Sequence, residues 1–378
     1  MLFLITMAFF AVIVSFMIPT SMAEVYAEID KKEKEIVKYQ IDENQVIDNN
    51  KDSSMSSNSS IAVVFPTFTM AAYNQSFYQF YGKYEYIVKE FGETGQREYV
   101  TSDLNLLTSL EVPKTNFFDI KSLGLWFLAN HISEISPNTS INYLTDTDIH
   151  NGLIFNPNHQ NNYNVMVQNK YNVLILGHQE YVTQQEYNNF KKFVENGGIL
   201  ILLDSNTFYA EVDYDPLNNK ITLVKGHYFA FDGQKAWSDV GERWWVENTE
   251  WVGSNYCSCP VTFTNNPFQY IPHEENHITN PNAKILLDYG AKSYTDPKFN
   301  KTIGVYELEY KLGKVISFGI FGDTVVSNKN FLKFFDTLLI DNNIIRDPIQ
   351  QQQIKEQPIQ QLQQIQQQQP IQQLQQRQ

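Results

Sequence analysis

Cysteine is scarce in this 378-residue chain: Cys257 and Cys259 are its two sulfhydryl residues, too few for a disulfide framework, so small stapled scaffolds are excluded and the redox compartment cannot be argued from them. Basic clusters are also lacking. With 28 Lys+Arg against 42 Asp+Glu the formal net charge is -14, and no Lys/Arg run offsets it, so a phosphate backbone is repelled and nucleic acid is not an expected partner. What is present is ordinary globular material, 42% apolar, enough for a sizeable core and at odds with collagen-like, coiled-coil or mainly disordered chains. Aromatics are abundant, with 22 Tyr and 26 Phe, which directs attention to where they gather.

Residues 1–19 carry no charge, and Thr20-Ser-Met-Ala23 supplies small residues in a cleavage-like pattern. Residues 1–23 therefore read as a secretory signal peptide; the missing basic start and the length of the run keep an uncleaved membrane anchor open as the alternative. The expected location is extracellular or cell-surface. Asn58, Asn74, Asn138 and Asn300 each begin an Asn-x-Ser/Thr pattern, which agrees with export. Residues 24–60 read as a flexible stalk, and residues 349–378 as a Gln-rich, low-complexity tail expected to be disordered.

Between them, residues 61–343 are expected to form one α/β domain. Residues 61–65 and 140–144 are apolar strand runs, and residues 118–132 have helical apolar spacing. The clearest unit starts at Tyr171. A strand run leads to Thr183-Gln-Gln-Glu186, a capping box in which the threonine hydroxyl and Glu186 satisfy the first amides of a helix; Gly197 and Gly198 end that helix before a second buried run at 199–203. Strand, helix, strand with short links is a parallel crossover. The alternation predicts a flavodoxin-like, doubly wound, mostly parallel sheet, with residues 213–300 forming an inserted β-rich aromatic lobe and a terminal hairpin (303–310, 314–318) followed by a helix at 328–339.

Ligands of such sheets bind outside the carboxyl ends of the strands. That rule gathers Tyr73, Asn74, Asp146, Asp148 and His150 as substrate-binding candidates, and His178, Glu180, Tyr181, Asp204 and Asn206 as catalytic ones, with Ser205 beside them. Each has a structural alternative: Asp146 and Asp148 form turns, Asn206 and Thr207 satisfy turn amides, and Tyr73 packs in the core with its hydroxyl bonded.

Gly177-His-Gln-Glu-Tyr181, Phe193-Val-Glu-Asn-Gly-Gly198 and Asn206-Thr-Phe-Tyr-Ala-Glu-Val212, with Ala72-Tyr-Asn74 and Tyr143-Leu-Thr-Asp-Thr-Asp-Ile-His150 as further landmarks, resemble the C-terminal domain of the N,N-dimethylformamidase large (beta) subunit, within the class I glutamine amidotransferase-like superfamily. The resemblance covers residues 61–343, is most specific at 171–212, and implies hydrolysis of a C–N bond in a small linear amide. Amidotransferases place a nucleophilic cysteine on the turn matched here by Leu203-Asp-Ser-Asn-Thr207. No cysteine is there, and Ser205 lacks the Gly-x-Ser-x-Gly elbow that exposes a nucleophilic serine. The resemblance further implies one iron held by tyrosine and glutamate. Tyr181 is placed in that role by motif, Tyr143 and Glu274 by spacing alone. Such an ion would polarise a carbonyl or activate water.

Cys257-Ser-Cys259 followed by His273 and His277 offers a zinc alternative, with the single-residue gap favouring a local disulfide or free thiols instead. A protein with neither metal stands equally open. His227, Tyr228, Phe229, Trp237, Trp244, Trp245 and Trp251, near Asp232, Glu242 and Arg243, would either stack a surface glycan or fill the core of the lobe. Two functions remain from the sequence: a metal-dependent hydrolase of a small amide, or a non-catalytic surface module that binds a glycan or envelope partner. Oligomeric state is not legible.

Overall fold

The computed structural model describes residues 60–74, 77, 101–104, 117–156, 168–227, 229–232, 235–237, 241–257 and 259–346. The expected signal peptide and Gln-rich tail lie outside them, as does the expected stalk apart from Ser60. Among the described residues no helix is long and apolar enough to cross a membrane.

The chain runs β1 (Ser60–Phe65), α1 (Thr67–Asn74), β2 (Thr101–Asp103), α2 (Phe117–Ile135), β3 (Ser140–Thr145), α3 (Asp146–His150), β4 (Val173–Leu176), β5 (Tyr181–Val182), α4 (Gln184–Glu195) and β6 (Ile199–Leu202). A strand-rich stretch follows: β7 (Ala210–Asp215), β8 (Lys220–Gly226), β9 (Phe229–Asp232), β10 (Lys235–Trp237), α5 (Trp245–Trp251), β11 (Ser254–Cys257), β12 (Val261–Phe263), β13 (Glu275–Ile278), β14 (Lys284–Asp288) and β15 (Ala291–Ser293). The hairpin β16 (Gly304–Tyr310) and β17 (Gly313–Ser317) and helix α6 (Lys329–Asp341) close the fold.

Seven strands form the main sheet in the order β14-β16-β17-β6-β4-β1-β3. The five from β17 to β3 are parallel, and β16 and β14 are antiparallel additions at one edge. The sheet is therefore mixed and mostly parallel. Its central strands are aliphatic at every position because both faces are covered. Successive side chains point to opposite faces, so Ile61, Val63, Val173, Ile175 and Ile316 pack beneath α2 and α6, on Leu125, Leu128, Phe331 and Phe335. Ala62, Val64, Leu174, Leu176 and Val315 face α4, on Tyr187, Phe190, Phe193 and Val194. Helix α4 begins where the sequence places it: Thr183 accepts from the Glu186 amide and Glu186 reaches back to the cap.

A second sheet, β10-β9-β8-β7-β5 with β2 on β8, stands beside the first. Residues 213–300 supply strands to several sheets. β14 joins the edge of the main sheet, while Trp244 and Trp251 enter the core under α4, where Tyr187 stacks on Trp244 at 4.3 Å and meets Trp251 edge-on. Burying two indoles against an existing helix removes more apolar surface than a small independent core would.

Order along the main sheet reverses at β1, which has β3 on one side and β4 on the other. Such a reversal opens a crevice at the carboxyl ends of the strands on either side.

Candidate functional site

The segments leaving β1, β4 and β6 meet at that crevice. Helix α1 follows β1 after one residue and brings Tyr73. The loop 177–180 after β4 brings His178 and Glu180, and the turn 203–207 after β6 brings Asp204. Glu180 is fully buried and is the hub. The Tyr73 hydroxyl donates to its Oε2, His178 Nε2 lies 3.2 Å from the same oxygen, and His227 Nε2 contacts Oε1. Burial by itself would raise this carboxyl; the charge of His227 and the hydrogen bonds from both histidines outweigh it and hold Glu180 well below the usual carboxylate range. The anion is thus kept by its partners, inside the protein.

His178 is fully buried between carboxylates. Its Nδ1 is 3.7 Å from Asp204 Oδ2, its Nε2 is 3.9 Å from Glu274 Oε2, and Phe321 packs on the ring at 5.0 Å. Glu274 Oε2 is buried without a hydrogen bond, an acceptor facing the cluster. Ser205 Oγ donates to the Glu274 carbonyl at 2.7 Å, and the Asn206 amide donates to Asn276 Oδ1, so the turn after β6 holds the 274–276 segment against the site. The serine hydroxyl is engaged there and is not presented as a nucleophile.

The second sheet supplies the opposite wall. His227 lies just beyond β8 with φ 50°, next to Gly226 at φ 126°, whose missing Cβ would sit 2.5 Å from Ala210 Cβ. A bulge between Glu211 and Val212 lies alongside. Backbone in the left-handed region at a non-glycine residue costs free energy, and together these features turn His227 back towards Glu180. Asn206 and Phe208 share this conformation, each at φ 59°. Tyr181 stacks on the His227 ring at 5.3 Å and 10° and meets Tyr73 and Phe77 edge-on, while Tyr209 meets His227 edge-on at 4.6 Å.

The structure thus brings together Tyr73, His178, Glu180, Tyr181, Asp204 and Glu274. Sequence reasoning placed His227 among the lobe aromatics and missed its contact with Glu180. The signal available was a lone histidine after a glycine at the end of a strand.

Other candidates have structural roles. Asp148 completes a capping box with Thr145 at the start of α3. Asp146 is fully buried, accepting from the Phe68 amide at 2.6 Å, with the Glu186 carboxyl acting on it. His150 Nδ1 bonds Thr183 Oγ1 at 2.8 Å, on the cap of α4. Asn206 serves the turn. Asn74 ends α1, and its side chain lies outside the described residues, as do those of Tyr228, Phe229, Asp232 and Trp237.

The metal assignments change as well. Tyr143 is not at the site: it packs on Trp126 at 4.4 Å and on Phe65, and burial raises its hydroxyl pKa. Cys257 and Cys259 are joined in a disulfide, so neither offers zinc a thiolate. His273 Nδ1 is 2.8 Å from the Ile271 carbonyl, and burial pushes His277 down to about 4. Among the described residues no group of three or more His, Cys, Asp or Glu side chains is arranged to hold a metal ion. The phenol of Tyr73 touching the carboxylate of Glu180, with the unsatisfied Glu274 oxygen nearby, nonetheless fits a hard ion in kind.

Likeness to solved structures is slight. Over 76% of this chain and 30% of its own length, the GH42 beta-galactosidase Gan42B from G. stearothermophilus is 12% identical with a TM-score of 0.37. A beta-galactosidase from Bacillus circulans is 11% identical, with 76% and 31% covered and a TM-score of 0.35. A putative ThuA-like protein from Bacteroides uniformis is 10% identical, with 76% and 93% covered and a TM-score of 0.33. This chain therefore spans less than a third of the two galactosidases, and scores this low establish no common fold. No curated protein matches. Residues 45–287, which include Tyr73, His178, Glu180, Asp204, His227 and Glu274, match the family described as N,N-dimethylformamidase beta subunit-like, C-terminal, and the chain belongs to that family.

Proposed function

We propose that this protein hydrolyses the C–N bond of a small linear amide, with Glu180 at the centre of the reaction. The observation that carries the reading is the buried Glu180 carboxylate, kept ionised by Tyr73, His178 and His227 at the β1 reversal. In the same reading the parallel strands, which lie across the sheet in the order β3-β1-β4-β6-β17, are wound in the flavodoxin-like manner.

Amide hydrolysis needs a polarised carbonyl, a deprotonated water and a protonated leaving amine. Tyr73 and Glu180 would hold the iron that the family resemblance implies, in place of Tyr181, whose ring is stacked on His227, and with Glu274 within reach; when bound, it would act as a Lewis acid on the carbonyl or on water. The proton work belongs to the chain. His227 has a side chain 23% exposed, so it bridges the buried carboxylate and solvent. Anchored on Glu180 through Nε2, its ring takes the proton of the attacking water and returns it to the departing nitrogen, while Glu180 stabilises the transient imidazolium. His178, set between Glu180 and Asp204, fixes the orientation of the carboxylate. Tyr181 and Tyr209 hold the His227 ring and keep bulk water from its faces.

The test is elemental analysis of the purified full chain, together with a panel of small amides that includes N,N-dimethylformamide, following amine release. Turnover that requires the native chain is expected. Absence of turnover in iron-, zinc- and manganese-supplemented protein would overturn the proposal.

A further inference from the structure

Cys257 and Cys259 form a disulfide across a single intervening residue, and Lys301 Nζ lies 3.8 Å from Cys257 Sγ and 3.7 Å from Cys259 Sγ. A cross-link closing so short a loop removes very little freedom from the unfolded chain, so it is ill suited to stapling the fold. β11, which carries Cys257, is already paired with β13 through four residue pairs from Ser254–Ile278 to Cys257–Glu275. The two sulfurs also differ. Cys257 is 2% exposed at the end of β11, whereas Cys259 is only partly buried. The accessible sulfur, the buried partner and a cation shared by both are what thiol–disulfide exchange uses, because a nearby ammonium stabilises the thiolate that forms.

We propose that Cys257, Cys259 and Lys301 form a thiol–disulfide exchange centre that accepts electrons from low-molecular-weight thiols. An external thiolate attacks Cys259 Sγ, the Cys257–Cys259 bond breaks, and Cys257 leaves as a thiolate beside the Lys301 ammonium. A second external thiolate attacks the outer sulfur of the mixed disulfide and releases Cys259. The balance is one protein disulfide and two thiols giving a protein dithiol and one external disulfide. Two further titratable groups face Lys301. Glu242, from the segment before α5, is pushed up to about 8 by burial and so does not neutralise the ammonium at pH 7; His277 of β13 is pushed down to about 4 and adds no charge. The centre stands independently of the hydrolase reading.

The test equilibrates the full chain, without denaturant, in glutathione buffers of graded ratio at pH 7 and counts maleimide-labelled thiols by intact mass. Two thiols should appear together in the native chain. Lys301→Gln should lower the equilibrium constant for reduction about tenfold, equivalent to roughly 30 mV, and Lys301→Arg should restore it. A Cys257→Ser/Cys259→Ser variant should unfold at the same urea concentration as the native chain. The proposal is overturned if the disulfide resists reduction until the protein unfolds, if Lys301→Gln leaves the equilibrium unchanged, or if the double variant is strongly destabilised.

Discussion

Asp146 and Glu186 are fully buried carboxyl groups that interact with each other, and Asp146 also accepts from the Phe68 amide at the start of α1. Burial, against the lowering effect of these contacts, lifts Asp146 from 3.8 to about 7; burial and then the Asp146 charge raise Glu186 well above its ordinary value. The native state therefore retains protons that the unfolded chain releases near pH 4, so stability falls as pH rises from there through about 7. For Asp146 the full loss is roughly 4 kcal/mol. Asp146→Asn keeps the volume and an acceptor oxygen for Phe68 while removing that ionisation. Urea unfolding of both proteins at pH 5 and pH 8 should show the variant gaining about 2–4 kcal/mol relative to the native chain between the two conditions. A stability difference equal at both pH values would refute the argument.

Tyr187→Phe takes away the acceptor of Trp251 Nε1, now at 2.7 Å, and the donor to Asn248; urea unfolding should show a loss of about 1–3 kcal/mol, and no loss would mean the pair finds other partners. His227→Gln removes both the proposed proton carrier and the main charge opposing the burial of Glu180, so kcat should fall about 10²–10⁴-fold; an unchanged rate would take His227 out of the proton transfer. Asn206→Ala should destabilise by about 1 kcal/mol and Asn206→Gly should not, because the turn holds this residue at φ 59°; equal effects would point to the side chain rather than the backbone.

Local chemistry explains what the sequence made legible. The buried runs at Ile61, Val173 and Ile199 become parallel strands because each is apolar on both faces, and the Thr183 cap starts α4 through contacts three residues apart. The loop after β4 was identifiable as part of the site because the strand-end rule needs only local patterns. Glu274 was reached by spacing, and the structure places it near His178. What was not legible depends on long-range placement. His227 is 47 residues from Glu180 and reaches it through a left-handed turn and a bulge in another sheet. Asp146 reads as a turn former until Glu186, 40 residues on, is brought against it inside the core. Tyr143 has the right chemistry for a ligand, yet strand alternation turns it towards Trp126. Trp244 and Trp251 look like a lobe core or a sugar platform until Tyr187 stacks on the first and meets the second edge-on.

Amine release from N,N-dimethylformamide by native protein and by Glu180→Gln, both shown folded by circular dichroism, tests the central claim most directly. The account predicts turnover by the native chain and a loss of about 10²–10⁴-fold in kcat for the variant, in which the anion anchoring His227 is gone. Equal rates for the two proteins would contradict it.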